Sequence, residues 1–398
     1  MSATFLVAFV GVLLAFQPLS TDLYLPSVPV MAQDLGLSLV VAQGSFLAYL
    51  VGFALGQLPA GALADRLGRR PVLVWAAALY TFAALAGALA NGGAVLLASR
   101  VVLGLSVAAM TVAGRAAIRD GFDPEAGEQA LAKGFAGMGI SAVVAGAAGG
   151  ELAHLLSWRM VMGLLAVGGA ALWLWTWWGF RPAPIASPAL VDSAAPGAIG
   201  QASPLKQILG NSTFWFSTLV ASASFSEAVC FVGGSSLVLP KYFGVSPATL
   251  GWTLTICSTS FLLSTFVCQW MLKRWGGRVA MRWSSGVAIV AAGLFALAST
   301  LQGEMGLICL VVAQMTYMQC HGANQVCGQA SAVAPFPHHA GLAAAWSGTI
   351  MILIGVLCGQ AQSMWLAQGL HHMPQVLMAI ALASSALAWR QSLNEPSH

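Results

Sequence analysis

Hydrophobic positions occupy most of the chain in long blocks, and short polar stretches separate one block from the next. A helix that crosses a bilayer needs about 20 mostly apolar residues. Twelve segments meet this requirement, at about 4–26, 39–61, 71–90, 94–117, 131–156, 159–180, 212–239, 247–271, 280–301, 304–329, 340–368 and 373–390. The pattern therefore predicts an all-α membrane protein with twelve transmembrane helices.

Composition leads to the same class. Of the 398 residues, 58% are hydrophobic and only 7% are charged, whereas a soluble domain carries about 25% charged residues. The lipid bilayer is thus the expected partner of most of the surface. The basic residues form no continuous strip, which argues against nucleic acid as a partner. The seven cysteines form no C-x-x-C pair, and the two His pairs lack further ligands, so we expect no metal and no cofactor.

One connection divides the chain into two halves. Residues 181–207 are rich in Pro, Ala and Ser and lack a helical apolar period, which is typical of a flexible linker. We predict an N-terminal six-helix bundle at 1–180, a cytoplasmic linker at 181–211 and a C-terminal six-helix bundle at 212–398.

The two halves resemble each other in sequence. A shift of 208 residues aligns Gly68 with Gly276. The same shift aligns the arginine two residues before each glycine, Arg66 with Arg274, and the arginine two residues after it, Arg70 with Arg278. A parallel repeat of six helices is the architecture of a large class of transporters, which hold their substrate between the halves.

The basic residues predict the orientation. If the segments alternate in direction, thirteen Lys and Arg residues fall on one face, and only Arg159 and Lys241 fall on the other. Cytoplasmic loops carry an excess of Lys and Arg. The crowded face, with both termini, is therefore expected to be cytoplasmic.

Several stretches resemble a known transporter family. "GQLPAGALADRLGRRPVL" is similar to the motif between helices 2 and 3 of the major facilitator superfamily. "LSTDLYLPSVPVMAQDLG" (19–36) resembles the helix-1 signature of the bicyclomycin/chloramphenicol (Bcr/CflA-type) drug:proton antiporters. Further similar stretches cover helix 4, helix 5 and the junction of helices 10 and 11, at 99–120, 139–159 and 324–345.

The resemblance implies a monomer of the bacterial inner membrane that exports amphipathic drugs in exchange for protons by alternating access. Its energy source would be the proton gradient. Three departures from the family pattern leave the substrate open: Leu103, Ala147 and Glu227. A proton-coupled transporter of a specific metabolite, such as a sugar, nucleoside or siderophore, remains the alternative. A membrane enzyme or a passive channel is more remote, because no catalytic set or nucleotide loop is present.

Two charged residues inside the first half are candidates for proton coupling. An ionised carboxylate is costly to bury, so Asp22 is expected to bind and release a proton. Arg100 cannot lose its proton, and we expect it to face the cavity and stabilise ionised Asp22, directly or through water. The alternatives are a solvated Asp22 at the outer helix end and an Arg100 that snorkels to the interface.

The second half contributes Glu227. The 208-residue shift aligns it with Leu19, which is three residues from Asp22 and therefore on about the same face of the helix. It is a candidate for proton coupling or for binding a cationic substrate. The alternative is a neutral acid hydrogen-bonded to Ser224 or Ser226. We assign substrate binding to four residues: Asp22, Tyr24, Glu227 and Asn324.

Two further motifs receive roles from the resemblance. In the first, Asp65 is expected to cap helix 11 and Arg66 to pair with Asp120 while the cytoplasmic side is closed. The alternative is a basic loop that only sets orientation. The complete gating motif comprises Gly61, Asp65, Arg66, Gly68, Arg69, Arg70 and Asp120. The antiporter motif comprises Gly146, Gly149 and Gly150, where helix flexing is expected to control proton leak and close packing is the alternative.

Overall fold

The computed structural model describes residues 3–180 and 204–394, and every regular element in these ranges is helical. Most of the predicted linker, at 181–203, lies outside the described residues. The helices are α1 Ala3–Asp22, α2 Val28–Asp34, α3 Leu39–Leu67, α4 Arg69–Ala88, α5 Gly93–Gly121, α6 Pro124–Leu155 and α7 Trp158–Gly179 in the first half. They are α8 Pro204–Leu209, α9 Ser212–Tyr242, α10 Pro247–Thr300, α11 Gly303–Val333, α12 Ala340–Leu366 and α13 Met373–Asn394 in the second.

Polar caps begin several of these helices. The side chain of an N-cap residue accepts a hydrogen bond from a backbone N–H of the first turn, which would otherwise have no partner. Four helices start in this way: α3 at Ser38, α7 at Ser157, α9 at Asn211 and α10 at Ser246. The predicted starts of these four segments are correct to within one residue.

Two equivalent glycines turn the chain at the corresponding place of each half. Gly68 separates α3 from α4 with φ 89° and ψ 157°. Gly276 interrupts α10 with φ 77° and ψ 176°, so α10 consists of two arms, 247–275 and 277–300. Positive φ values favour glycine because it has no Cβ. The sequence repeat thus reappears as a shared backbone conformation.

Counted with the two arms of α10 separate, the described residues form twelve long helices. Ten helices are long and apolar enough to cross a membrane, with α10 counted once and α11 absent from the ten. The chain is therefore a multi-pass membrane protein.

The first predicted segment, 4–26, contains a break close to its end. α1 ends at Asp22, a short 3-10 turn follows at Leu25–Ser27, and α2 continues to Asp34. Pro26 and Pro29 occupy the first turns of the two short elements, where a missing N–H costs nothing. The break places Asp22 at a helix end inside the bundle.

One end of the bundle is basic, and we call it the basic end. It carries the α3–α4 junction and the end of α5, which lie together because Arg69 Nε donates to Asp120 Oδ2 at 2.8 Å. The end of α7 is there too, since Arg70 Nη2 donates to the carbonyl of Trp177 at 2.6 Å.

At the opposite end the two halves are packed closely together. A Cβ added to Gly150 of α6 would lie 2.8 Å from the carbonyl oxygen of Pro247, and one added to Gly251 of α10 would lie 2.6 Å from the Cα of Gly150. Between α3 and α12, Gln43 Nε2 donates to the carbonyl of Gly359 at 3.3 Å and to Gln362 at 3.3 Å. The halves are thus closed against each other at the end that lies away from the basic end.

A first prediction concerns this glycine contact. Gly251→Ala places a methyl group against the backbone of α6, and overpacking of this kind costs about 1–3 kcal/mol. The population with the opposite end closed should fall, relative to the open one, by about 5- to 150-fold. Distances between spin labels on the ends of α6 and α10 measure the change.

The matched control is Gly293→Ala, which lies on the second arm of α10 with nothing within 4 Å of its added Cβ. It should leave the distances unchanged. Equal distance distributions in Gly251→Ala and the parent would contradict the assigned role of the contact.

Candidate functional site

A cavity of about 190 Å³ lies between the two halves. Its walls are mostly apolar and come from the end of α1, from α6, and from α9, α10 and α11 of the second half. The lining residues are Asp22, Ala142, Ala228, Phe231, Val232, Leu254, Cys257, Ser258, Phe261, Gln314, Met318 and His321. Asp22 is the only carboxylate among these lining residues.

Asp22 reaches the cavity because α1 ends there. Its Oδ1 accepts a hydrogen bond from Thr21 Oγ1 at 2.8 Å, and its side chain is half-buried. A Cβ added to Gly149 would lie 2.6 Å from the carbonyl oxygen of Leu23, so the glycine lets α6 cover the broken helix end. Since the chain continues to Asp34, the alternative of an Asp22 at the outer helix end is wrong.

Glu227 lies behind the cavity wall. It is fully buried in α9, and its Oε2 accepts a hydrogen bond from Gln314 Nε2 at 3.2 Å. Its Oε1 has no partner among the described residues. Neither predicted serine holds it, because Ser224 bonds to a histidine and Ser226 donates to the carbonyl of Ser222. One amide therefore separates this carboxyl from the cavity.

His321 is a polar residue of the cavity wall that sequence reasoning missed. It lies in the middle of α11, where its Nδ1 is 2.8 Å from Ser224 Oγ and its ring centroid is 5.0 Å from that of Phe261. An ionisable residue within a membrane helix indicates function by default. That signal was available, because His321 is a histidine in the middle of an apolar segment.

Arg100 is fully buried against aromatic rings. Its guanidinium carbon lies 4.4 Å from the ring centroid of Tyr24 and 5.1 Å from that of Tyr49, distances typical of cation–π contacts. Its Nε donates to the carbonyl of Ser45 at 3.3 Å. The interpretation that it snorkels to the interface is wrong. No direct bond to Asp22 is formed in the described conformation.

Besides Glu227, two further residues assigned to substrate binding lie outside the cavity lining, Tyr24 and Asn324. The hydroxyl of Tyr24 is 2.6 Å from Ser45 Oγ, and its ring lies against Arg100. Asn324 is fully buried within the second half, where it accepts from Ser284 at 2.6 Å and donates to Ser384 at 3.0 Å. Both roles stay predictions.

The gating motif forms an ion-pair cluster at the basic end. Arg69 Nη1 lies 2.5 Å from Asp65 Oδ1, and Arg69 Nε lies 2.8 Å from Asp120 Oδ2. In this conformation Arg69 pairs with Asp120, and the side chain of Arg66 is exposed. The pairing of Arg66 belongs to the state with the basic end closed, and it stays a prediction.

The predicted cap of helix 11 is not formed in this conformation. That helix is α12, and its N-cap residue His339 makes no capping bond through its side chain. The Asp65 carboxylate is 62% exposed and faces Arg69 instead. A bond between the halves at the basic end is expected only when that end is closed, whereas here the closed end is the opposite one. A Cβ added to Gly61 would lie 4.0 Å from a methyl carbon of Val112 in the same half, so no close approach requires glycine there.

The glycines of the antiporter motif lie at the contact between the halves and at the break of the first helix. A Cβ added to Gly146 would lie 2.8 Å from Thr255 Oγ1 of α10. The same threonine donates to the carbonyl of Val143 at 2.9 Å. Close packing is therefore present at these positions, and the role in proton leak stays a prediction.

Twelve long helices around a cavity between two halves are the architecture of a membrane transporter. A protein-family model described as "Major Facilitator Superfamily" matches residues 10–390, and the chain belongs to this family. It is a transporter rather than an enzyme, of a family whose members carry small molecules across membranes.

Curated relatives are distant. The chain is 27% identical over 360 residues to the "Uncharacterized MFS-type transporter YdgK" of Bacillus subtilis (strain 168). The alignment covers 88% of this chain and 86% of that protein. It is 26% identical over 357 residues to the "Multidrug resistance protein MdtL" of Salmonella paratyphi B, with 89% and 86% covered.

Solved structures show the fold. A D-xylose-proton symporter has a TM-score of 0.78 at 14% identity, with 98% of both chains covered. A bacterial homolog of the human lysosomal transporter Spinster, inward-facing and unoccupied, has a TM-score of 0.77 at 16% identity, with 99% of this chain and 98% of that chain covered.

A second prediction concerns Arg69. Arg69→Gln removes the two ion pairs that Arg69 makes and leaves the pair of Arg119 with Asp120. Because the two carboxylates are 62% and 45% exposed, the loss should be small, about 0.5–1 kcal/mol. Thermal unfolding in detergent measures it as a lowered midpoint. The control Arg66→Gln removes a charge of the same loop and should leave the midpoint unchanged. Equal midpoints for both variants would contradict the assignment of the pairing to Arg69.

Proposed function

We propose that the protein exports amphipathic drugs or similar small molecules in exchange for protons, as the Bcr/CflA-type antiporters do. The observation that supports this most is the cavity between the halves. It combines one half-buried carboxylate, Asp22, with walls of Phe, Leu and Met side chains. Such walls favour apolar molecules of varied shape, whereas a sugar would need many more hydrogen-bonding groups. The relationship to MdtL agrees with the proposal.

Asp22 carries the exchange in this proposal. A carboxylate that lines the cavity meets the solvent of whichever side is open, so it takes up a proton on one side and releases it on the other. Binding of substrate in the cavity favours loss of the proton. Each cycle then moves substrate and proton in opposite directions.

The conformation described above is one of the two states of this cycle. The halves meet at the end away from the basic end, and the excess of Lys and Arg assigns the basic end to the cytoplasm. The state is therefore open toward the cytoplasm of a bacterial inner membrane, ready to admit substrate. In the opposite state the basic end closes, and Asp65 then lies at the N-terminus of α12, where helix N–H groups stabilise a carboxylate.

A third prediction tests the coupling. Asp22→Asn keeps the shape of the side chain and removes its titration, so the variant should reach the membrane and bind substrate without building a substrate gradient. Substrate accumulation in proteoliposomes with an imposed pH gradient, together with proton flux, measures this. Asp22→Glu is the matched control, because it keeps a titrating group and should retain part of both fluxes. Full antiport by Asp22→Asn would rule out this role.

A fourth prediction separates two roles for Glu227. Because this residue lies behind Gln314 rather than in the cavity lining, we expect it to carry a proton. Glu227→Gln should then abolish gradient-driven accumulation of cationic and neutral substrates alike. A direct counter-charge to the substrate would instead show a loss of about tenfold or more for cations alone.

The control for this variant is Glu151→Gln. Glu151 is exposed beside the contact between α6 and α10, where it accepts a hydrogen bond from Trp252 at 3.3 Å. The amide oxygen of Gln can accept the same bond, so this substitution should leave both substrate classes unaffected. A Glu227→Gln variant that transports neutral substrates normally would exclude the role in proton transfer.

A further inference from the structure

One face of α11 supplies the polar groups of the second half of the cavity. Gln314, Met318 and His321 are spaced by four and three residues, which brings them to one side of a helix. Gln314 and His321 are two turns apart, and the thioether of Met318 lies between them. The wall therefore has two polar positions at a fixed separation on an apolar surface.

The hydrogen bond of His321 determines which of its nitrogens is free. Ser222 and Ser226 donate their hydroxyl protons to carbonyls of α9, whereas the hydroxyl of Ser224 turns to Nδ1 of His321. With the serine as donor, the neutral ring carries its proton on Nε2. Nε2 has no partner among the described residues, and the ring lines the cavity. His321 thus presents Nε2 to a molecule in the cavity, as an N–H donor in the tautomer whose Nδ1 accepts from Ser224.

Gln314 is the second polar residue of this face, and its amide is buried. Its Nε2 donates to Glu227, and its Oε1 is inaccessible and has no hydrogen-bond partner among the described residues. Nε2 of His321 is therefore the hydrogen-bonding atom that this face of α11 offers to a molecule in the cavity.

The apolar groups around these two residues indicate the rest of the ligand. The ring of Phe261 packs on the imidazole of His321, and Phe231 lines the cavity from α9. An apolar cavity of about 150 Å³ holds benzene. A cavity of about 190 Å³ is thus large enough for a molecule of one or two rings.

From these contacts we propose that His321 is a specificity-determining residue, whose Nε2–H donates a hydrogen bond to a carbonyl oxygen of a small aromatic substrate packed against Phe231 and Phe261. This inference rests on the proposed transport function and narrows its substrate class to one- or two-ring compounds with an acceptor oxygen. Aromatic compounds of the same size without that oxygen bind more weakly.

Two probes that differ only in the oxygen test the proposal. Coumarin carries a lactone carbonyl, and 2H-chromene has the same two rings without it. Equilibrium dialysis against the full chain in lipid nanodiscs, with empty nanodiscs as the blank for lipid partitioning, gives the dissociation constants. The parent should bind coumarin at least fivefold more tightly, which is the size of one buried hydrogen bond.

Two substitutions separate recognition from a structural role of the histidine. The amide of His321→Asn reaches the position of Nδ1 and keeps the bond to Ser224, but it cannot replace Nε2. The amide of His321→Gln reaches the position of Nε2. The preference for coumarin should disappear in His321→Asn and persist in His321→Gln, while the thermal midpoint of His321→Asn stays close to that of the parent.

Three outcomes would overturn the proposal: equal affinities of both probes for the parent, a preference that persists in His321→Asn, or no saturable binding of either probe. The test is independent of proton exchange. Loss of the coumarin preference in His321→Asn, together with full antiport by Asp22→Asn, would support the recognition and reject the proposed coupling. The reverse combination would reject the recognition alone.

Discussion

The close approach of α6 and α10 is the contact on which the rest of the site depends. Gly150 and Gly251 bring the two backbones together, and a side chain at either position would have to push the helices apart. In lipid the hydrophobic effect does not hold helices together, so small residues that allow close packing and interhelical hydrogen bonds take its place. This contact closes one end of the bundle, and the cavity exists because the halves diverge from it. Asp22 lines this cavity next to the closed end of the bundle.

The break in the first helix is coupled to the same packing. α1 stops at Asp22, and the backbone of Leu23 lies against Gly149, so one glycine motif serves both the contact between the halves and the position of the acid. A change in the angle between the halves must therefore move the environment of Asp22. Proton binding at the Asp22 carboxyl and the opening or closing of the α6–α10 contact can therefore influence each other.

Charge is distributed differently in the two halves of the interior. The first half buries Arg100 among tyrosines, and the second buries Glu227 behind Gln314. Neither charge has an ion-pair partner among the described residues, and such groups are costly in lipid unless they serve a function. Burial without a partner leaves each free to interact with a proton, a substrate or an opposite charge that arrives in another state of the cycle.

Sequence alone determined the number of long helices and the starts of several of them, because membrane thickness sets their length and polar caps set their starts. Ser38 and Ser246 mark two of those starts, and the shift of 208 residues identified Gly68 and Gly276 as equivalent before their shared backbone conformation was known. Asp22 and Glu227 were found because an acid in an apolar segment stands out. The partners of these residues came only from the tertiary structure. Gln314 beside Glu227, His321 in the cavity wall and Arg69 beside Asp120 depend on how helices far apart in sequence rotate and pack, and no local pattern encodes that rotation.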